Sequence, residues 1–457
     1  MYYVHNKTVA VVGLGKSGLA AAKLLLVRGA QLVLADEKTP DKFGDSLASL
    51  KGLPVSLILG GVTPETLTHC DLVVVSPGVR VNHPALEAAR AKGIPVIGEL
   101  ELASAYCPAK ILAVTGTNGK TTTTALAAQL ISAGGHRGVA CGNIGVPFSG
   151  VLFDLSAEDW AVVEVSSFQL ETVVKFRPQV AAVLNITPDH LDRHGSMQAY
   201  VETKARIFAN QGPEDAALLN TKDKYTPLLS SFVKSKVHLF GFPQDGRTLD
   251  KSGCFVVDGN LELFGRKLLP VSELRIPGPH NMENACAAAL AASLAGVPDG
   301  PLAGALAAFE PVEHRLEPSG VIEGVRFIND SKGTNVDSVE KALQSFPRPI
   351  VLILGGRDKA GDFTTLSSLV REKVTRIVAI GECKAKIASQ LADAAPVVEA
   401  QTLEEAVRGG FAASEKGGTV LLSPGCASFD MFKSYEDRGR QFKAIVKAFA
   451  AEKAAKG

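Results

Sequence analysis

Three times in this chain an apolar run ends in a glycine-rich turn and gives way to helix-forming sequence: VAVVGLGKSG at 9–18, ILAVTGTNGKTT at 111–122 and IVLILGGRDK at 350–359. Each reads as the start of an α/β unit, in which the turn sits at the carboxyl end of a parallel strand. One such unit falls in each third of the 457 residues. Domains run to about 150 residues each, so the length agrees with three. The expected fold class is α/β with three domains: N-terminal Rossmann-like, central P-loop mononucleotide-binding, and C-terminal Rossmann-like. Composition shifts place the boundaries. A short helical stretch, ELELASAYC, stops before Pro108, and an Ala-rich helix gives way to Gly and Pro between Gly296 and Pro311. The expected domains are therefore 1–103, 104–311 and 312–457.

The first unit has the outline of a dinucleotide fingerprint. Gly13, Gly15 and Gly18 follow the strand, and a second apolar run stops at Asp36. On that outline alone the chain reads as an NAD-linked oxidoreductase. The second unit argues otherwise. In VTGTNGKTTTT, Gly116 and Gly119 free the backbone to wrap a phosphate. Lys120 supplies a positive charge to the β/γ-phosphates, and Thr121 a hydroxyl for Mg²⁺. Val114 stands where the full Walker pattern has glycine, so the loop is a shortened one, unlike that of ordinary kinases or GTPases.

Composition excludes several classes. The net charge of +1 favours neither nucleic acid nor an anionic membrane as partner. No apolar run reaches the ~20 residues that span a bilayer, and Ala285–Val297 reads as a buried helix. The N-terminus does not read as a secretory leader. Seven scattered cysteines without a CxxC pair fit free thiols in a reducing cytoplasm.

Three further residues carry candidate chemistry. Glu164 lies in the apolar strand AVVEV, where a carboxylate is costly unless it faces water or meets a cation. His190 follows the strand VAAVLNI, with Thr187 as expected N-cap, Pro188 at the first helical position and His190 on the first turn. His194 is four residues on, but Leu191 stands where a zinc-binding HExxH has Glu. In MQAYVETKARIF, helical spacing puts Tyr200, Lys204 and Phe208 on one face, with Val201 and Ile207 beside them. Such a lysine either snorkels to water or, once buried, loses its proton more readily. A neutral amine can take up CO₂ and become a carbamate, a hard oxygen ligand for Mg²⁺.

Taken with GPHNMENACAAA (278–289), INDSKGTNVDSV (328–339) and SPGCASFDMFKSYEDRGRQF (423–442), these motifs resemble those of the Mur ligase family over essentially the whole chain. The match is most specific to members that join D-glutamate to UDP-N-acetylmuramoyl-L-alanine. The resemblance implies an ATP-dependent amide ligase. ATP phosphorylates the substrate carboxylate, the amine attacks the acyl phosphate, and the tetrahedral intermediate loses phosphate.

The resemblance also implies site residues. Lys120, Glu164, His190 and Lys204 are the expected catalytic groups, and Thr121, Glu164, His190 and carbamylated Lys204 the expected ligands of two Mg²⁺ ions. ATP is expected on Gly116, Thr117, Asn118, Gly119, Lys120, Thr121 and Thr122, with Asn281, Asn284, Arg315, Asp330 and Lys332. The UDP-substrate is expected on Gly13, Leu14, Gly15, Lys16 and Ser17, on Asp36, Glu37 and Lys38, on Ser76, Pro77 and Gly78, and on Asn143. D-glutamate is expected on Thr334, Lys359, Ser428, Phe429 and Tyr435. The implied setting is peptidoglycan precursor synthesis in the bacterial cytoplasm by a monomer. A folylpolyglutamate-type ligase shares the loop and the carbamate but lacks such an N-terminal domain. The oxidoreductase reading leaves the phosphate loop unexplained.

Overall fold

The computed structural model describes residues 2–43, 52–243, 252–359 and 361–455. The chain forms two compact units, Met1–Leu269 with Ala285–Leu306, and Pro270–Asn284 with Ala307–Gly457. The first unit contains two sheets. A five-stranded parallel sheet comprises β1 (Thr8–Val12), β2 (Gln31–Asp36), β3 (Val55–Leu59), β4 (Leu72–Val75) and β5 (Val96–Gly98), in the order β3-β2-β1-β4-β5. Strand order reverses between β1 and β4, and ligands of open α/β sheets bind outside the carboxyl ends at such a point.

The nine-stranded second sheet comprises β6 (Lys110–Thr115), β7 (Gly138–Gly142), β8 (Trp160–Glu164), β9 (Val180–Val183), β10 (Ala216–Asn220), β11 (Lys236–Gly241), β12 (Cys254–Val257), β13 (Asn260–Leu263) and β14 (Arg266–Pro270). Its order is β14-β13-β12-β11-β10-β9-β6-β8-β7, parallel from β7 to β12 and antiparallel between β12 and β13. The second unit holds the third sheet: β15 (Glu317–Ile322), β16 (Val325–Asn329), β17 (Ile350–Gly355), β18 (Val374–Ile380), β19 (Val397–Glu399) and β20 (Thr419–Leu422), ordered β15-β16-β20-β17-β18-β19. Only its β15–β16 pairing is antiparallel.

These parallel strands are apolar along their length because helices cover both faces. Every residue of β4, β6 from Ile111 onward, β8 and β17 is buried. The two sheets of the first unit share one core, which includes Val9, Leu25, Leu100, Ile111, Val163, Phe176 and Tyr200. The three glycine-rich turns follow β1, β6 and β17, as the sequence leads one to expect. The Ala-rich segment is helical from Pro279 to Leu294 and fully buried from Ala285 to Ala292. No helix among the described residues is long and apolar enough to cross a membrane.

Gly18 shows why the first turn needs its third glycine. The helix Lys16–Val27 passes so close to the turn that a Cβ on Gly18 would lie 1.9 Å from the Gly13 carbonyl oxygen. A Cβ on Gly15 would meet nothing within 4 Å. Gly18→Ala is therefore expected to destabilise the protein by about 1–3 kcal/mol, the range for overpacking. Gly15→Ala should cost less than about 0.5 kcal/mol. Urea unfolding of the two variants measures the contrast, and equal midpoints would contradict the packing argument.

Candidate functional site

At the carboxyl end of β1 the turn is held from two sides. The Leu14 N–H donates to Asp36 Oδ2 at 2.6 Å, and Oδ1 of the same carboxylate accepts from the Lys38 N–H at 2.9 Å. Ser76, just past β4, donates its hydroxyl to the Gly13 carbonyl at 2.5 Å. Leu14 and Ser76 are buried, whereas Gly15, Lys16 and Gly78 are exposed and Ser17 and Pro77 half-buried. Glu37 accepts from the Val62 N–H at 3.0 Å and lies 3.1 Å from His83 Nε2. Thus Gly13–Ser17, Asp36–Lys38 and Ser76–Gly78 form one edge of the first sheet, and Asp36 acts there as a clamp on the backbone.

The phosphate loop leaves β6 at Thr115 and enters the helix Lys120–Ala133 through Gly119, whose φ of +87° favours glycine. The loop is pinned to the residues after β9. The Asn185 side chain accepts from the Asn118 N–H at 2.8 Å and donates to the Asn118 carbonyl at 3.0 Å. Thr117 Oγ1 accepts from the Thr187 N–H at 3.0 Å and lies 3.2 Å from the Tyr200 hydroxyl. The hydroxyl-bearing Thr121 and Thr122 are buried in the first turn of the helix. Lys120 Nζ donates to the carbonyls of Gly116 at 2.9 Å and Thr117 at 2.7 Å.

Lys204 arrives from the helix Met197–Ala205, whose N-cap Ser196 accepts from the Ala199 N–H. Its side chain is fully buried, as are Tyr200, Val201, Ile207 and Phe208, so the apolar face read from helical spacing is present. Phe208 lies one turn on, in the 3₁₀ segment Arg206–Phe208. Lys204 Nζ donates to the Gly116 carbonyl at 2.9 Å and sits 4.8 Å from the centre of the Tyr200 ring. Burial holds the Lys204 ammonium well below the usual lysine range, and the Lys120 charge adds to this; Asp189 and Glu164 pull the other way. Snorkelling to water is thereby ruled out. Glu164, at the carboxyl end of β8, is 1% exposed, so it is the inward acid of the two alternatives. Its Oε1 accepts from the Asn143 side-chain amide at 2.8 Å.

His190 is placed differently from the sequence expectation. The helix is Leu191–His194, and His190 precedes it in the left-handed region, with φ of 53° and ψ of 32°. Thr187 is not an N-cap. Its N–H and carbonyl are taken by the Thr117 hydroxyl, so Thr187 is tied to the phosphate loop instead of starting a helix. His190 Nε2 is 3.7 Å from Asp189 Oδ2, and its ring packs 4.8 Å from that of Phe168. Sequence reasoning passed over Asn185, Tyr200's contact with Thr117, and Asn143's hold on Glu164. The only signal was the position of Asn185 and Asn143 just beyond strand ends.

The remaining candidates lie in the second unit. Asn284 donates its amide to Asn281 Oδ1 at 3.0 Å, and Asn281 to the Pro277 carbonyl at 2.7 Å. The neighbouring His280 is driven down to about 3 by burial, with the charges of Lys341 and Arg315 adding to it. Lys332 Nζ lies 5.5 Å from the Tyr435 ring centre. Ser428 is buried, Thr334 and Tyr435 half-buried, and Lys359 and Phe429 exposed. Gly356, Ala427 and Cys426 bring the turn after β17 against the 426–429 segment, through Arg357 N–H to Ala427 O at 2.9 Å and its reciprocal at 3.1 Å.

Three family models match the chain. The Mur ligase MurD-like N-terminal domain covers residues 7–98, the Mur ligase middle domain 114–292, and the Mur ligase glutamate ligase domain 314–426. The UDP-N-acetylmuramoylalanine--D-glutamate ligase of Koribacter versatilis is 42% identical over 453 residues, 98% of this chain and 99% of its own. The protein of the same name from Pelotomaculum thermopropionicum is 46% identical over 447 residues, 96% of this chain and 97% of its own. Among solved structures, a pseudomurein peptide ligase type C from Methanothermus fervidus matches with a TM-score of 0.60 at 17% identity, over 97% of this chain and 100% of that one. UDP-N-acetylmuramate-alanine ligase MurC from Thermotoga maritima matches with a TM-score of 0.59 at 19% identity, over 97% and 100%. These structural likenesses establish the three-domain α/β architecture.

Asp330, just past β16, is buried with Oδ2 accepting from the Ser423 hydroxyl at 2.8 Å and Oδ1 from the Leu316 N–H at 3.3 Å. Burial pushes its carboxyl up to about 6, against the pull of the Arg315 charge. Between pH ~4 and ~6 the folded protein therefore holds a proton that the unfolded chain has lost, and stability falls as pH rises through that window. The full contribution is about 3 kcal/mol. Asp330→Asn should remove this part of the slope, measured as melting temperature between pH 4 and 7; an unchanged slope would show that Asp330 ionises normally.

Proposed function

Because the chain belongs to the Mur ligase family, we propose that it joins D-glutamate to the L-alanyl carboxylate of UDP-N-acetylmuramoyl-L-alanine with hydrolysis of ATP to ADP and phosphate. The observation that carries the chemistry is Lys204. A fully buried amine, held on the Gly116 carbonyl within a phosphate loop and biased toward its neutral form, has no use in simple nucleotide binding. The choice of amino acid and acceptor is supported by the full-length relatives.

Each part of the chain then has a role. The turn Gly13–Ser17, with Asp36–Lys38 and Ser76–Gly78, takes the uridine diphosphate, whose pyrophosphate is carried and does not react. Such turns bind phosphates through backbone N–H groups at a helix N-terminus, here that of the helix Lys16–Val27. Loop residues Gly116–Thr122 take the ATP phosphates. Lys120 exchanges its two carbonyl partners for phosphate oxygens, where its charge stabilises transfer. Asn281, Asn284, Arg315, Asp330 and Lys332 serve the nucleoside end. Thr334, Lys359, Ser428, Phe429 and Tyr435 serve D-glutamate, for which the exposed Lys359 cation suits a dicarboxylate. These roles divide the chain as 1–103, 104–311 and 312–457.

The residues present fit Mg²⁺. A buried carboxylate at Glu164, the buried Thr121 hydroxyl and a carbamate on Lys204 would make a set of hard oxygen donors, and His190 is the further ligand that the family resemblance implies. The carbamate forms when the neutral Lys204 amine adds to CO₂ and gives up a proton. Bound Mg²⁺ would supply charge neutralisation over the phosphate oxygens and the developing oxyanion. Asn143 orients Glu164 through its 2.8 Å hydrogen bond, and its own position beyond β7 also suits contact with the muramoyl group. The amine of D-glutamate then attacks the acyl phosphate, for which in-line positioning is the main requirement. Substrates of this kind place the step in the bacterial cytoplasm, in peptidoglycan precursor synthesis.

Phosphate release from ATP should require UDP-N-acetylmuramoyl-L-alanine and D-glutamate together. Release with L-lysine, diaminopimelate or a folate in place of D-glutamate would overturn the assignment. Lys204→Ala should lower turnover by at least about 100-fold, the scale for losing one preorganised electrostatic group, with the melting temperature preserved. With ¹³CO₂ the wild type should show a carbamate carbon signal that the variant lacks; near-normal turnover by Lys204→Ala would remove the carbamate from the mechanism.

A further inference from the structure

Arg193 belongs to none of the assigned groups, yet its guanidinium makes four hydrogen bonds close to His190. It lies on the short helix Leu191–His194, three residues after His190. Its guanidinium makes a bidentate pair with Glu171: Nε donates to Oε1 at 3.0 Å and Nη2 to Oε2. The same group reaches the first sheet. Nη1 donates to the Pro77 carbonyl at 3.1 Å and Nη2 to the Val79 carbonyl at 3.3 Å. Its flat face lies 3.9 Å from the centre of the Phe168 ring, and its side chain is 13% exposed.

We propose that Arg193 is a positioning residue that registers the Ser76–Gly78 turn of the first sheet against the His190 loop of the second, and so sets where the substrate carboxylate falls at the phosphate loop. The proposal rests on the reading above that the first turn holds the uridine diphosphate while the loops of the second sheet hold ATP and Mg²⁺. On one side the linkage is short: the Val79 N–H donates to the Ser76 carbonyl at 3.0 Å, and the Ser76 hydroxyl to Gly13 at 2.5 Å. On the other side, His190 precedes the helix that carries Arg193, and Phe168 packs on the rings of both His190 and His194. His194 Nε2 lies 3.0 Å from Ser167 Oγ, three residues beyond Glu164. A guanidinium is the group for this task. It is planar, and its five fixed donors address a carboxylate and two carbonyls at once, which an ammonium does not do.

A strut that served stability alone would change the melting temperature and leave turnover per folded molecule intact. The first turn would hold the uridine diphosphate of one substrate and the loops of the second sheet the ATP phosphates and Mg²⁺, so their spacing enters the rate of acyl phosphate formation more than the affinity for either substrate. A misplacement of about 1 Å costs on the order of 100-fold in rate.

The experiment measures kcat and KM for ATP and for UDP-N-acetylmuramoyl-L-alanine in the full-length protein, alongside melting temperature. Arg193→Ala is expected to lower kcat about 100-fold while either KM moves less than about threefold. Arg193→Lys, which keeps the charge and is the variant that decides if the alanine form does not fold, should recover part of the loss, to about tenfold below wild type. A folded variant with kcat within about twofold of wild type, or an effect confined to KM, overturns the proposal. Failure of the wild type to turn over the substrate pair would instead overturn the reading of the reaction on which it rests.

Discussion

The carbonyl oxygen of Gly116 accepts from two lysines at once, Lys120 Nζ and Lys204 Nζ, each at 2.9 Å. Much of the site follows from that shared acceptor. Two full positive charges so close together, one of them wholly buried, cost more than one carbonyl returns. Burial, with the charge of the half-buried Lys120 adding to it, drives Lys204 toward the neutral amine. The aromatic face of Tyr200, the Thr117 hydroxyl and the Asn185 clamp fix the loop in this arrangement.

Sequence made the periodic features legible. The three strand–turn–helix units and the buried Ala-rich helix follow from continuous apolar runs bounded by glycine, and the face shared by Tyr200 and Lys204 from a spacing of 3.6 residues. What spacing does not carry is partner choice across the chain. Thr187 has the residue type and the following proline of a helix start, but Thr117, 70 residues earlier, takes its backbone groups. The local cap preference loses to that tertiary bond, and the helix begins at Leu191, three residues later than expected. Asn185 and Arg193 were illegible for the same reason: their partners are 67 and more than 100 residues away.

Carboxylates show the limit from another side. A buried acid in a nucleotide-binding protein invites a ligand role, and for Glu164 the surroundings support one. Glu101 has a different use. On the helix Glu99–Tyr106 its carboxylate accepts from the N–H groups of Val174, Lys175 and Phe176, each at 2.9 Å, and from the Tyr2 hydroxyl at 2.9 Å. It is an anchor for three consecutive backbone donors, of which the Phe176 N–H lies in the buried interior. Residue type alone does not separate these two fates.

The clamp of Asp36 on the Leu14 and Lys38 backbones has a consequence for molecular encounter. With the first glycine-rich turn already fixed by Asp36, the entropy of ordering it is lost during folding and not, on the proposed reading of the turn as a diphosphate site, at the moment of binding. Association there becomes a docking event on a rigid rim. On the proposed reading, discrimination between nucleotides then falls to exposed side chains around that rim, such as Lys16.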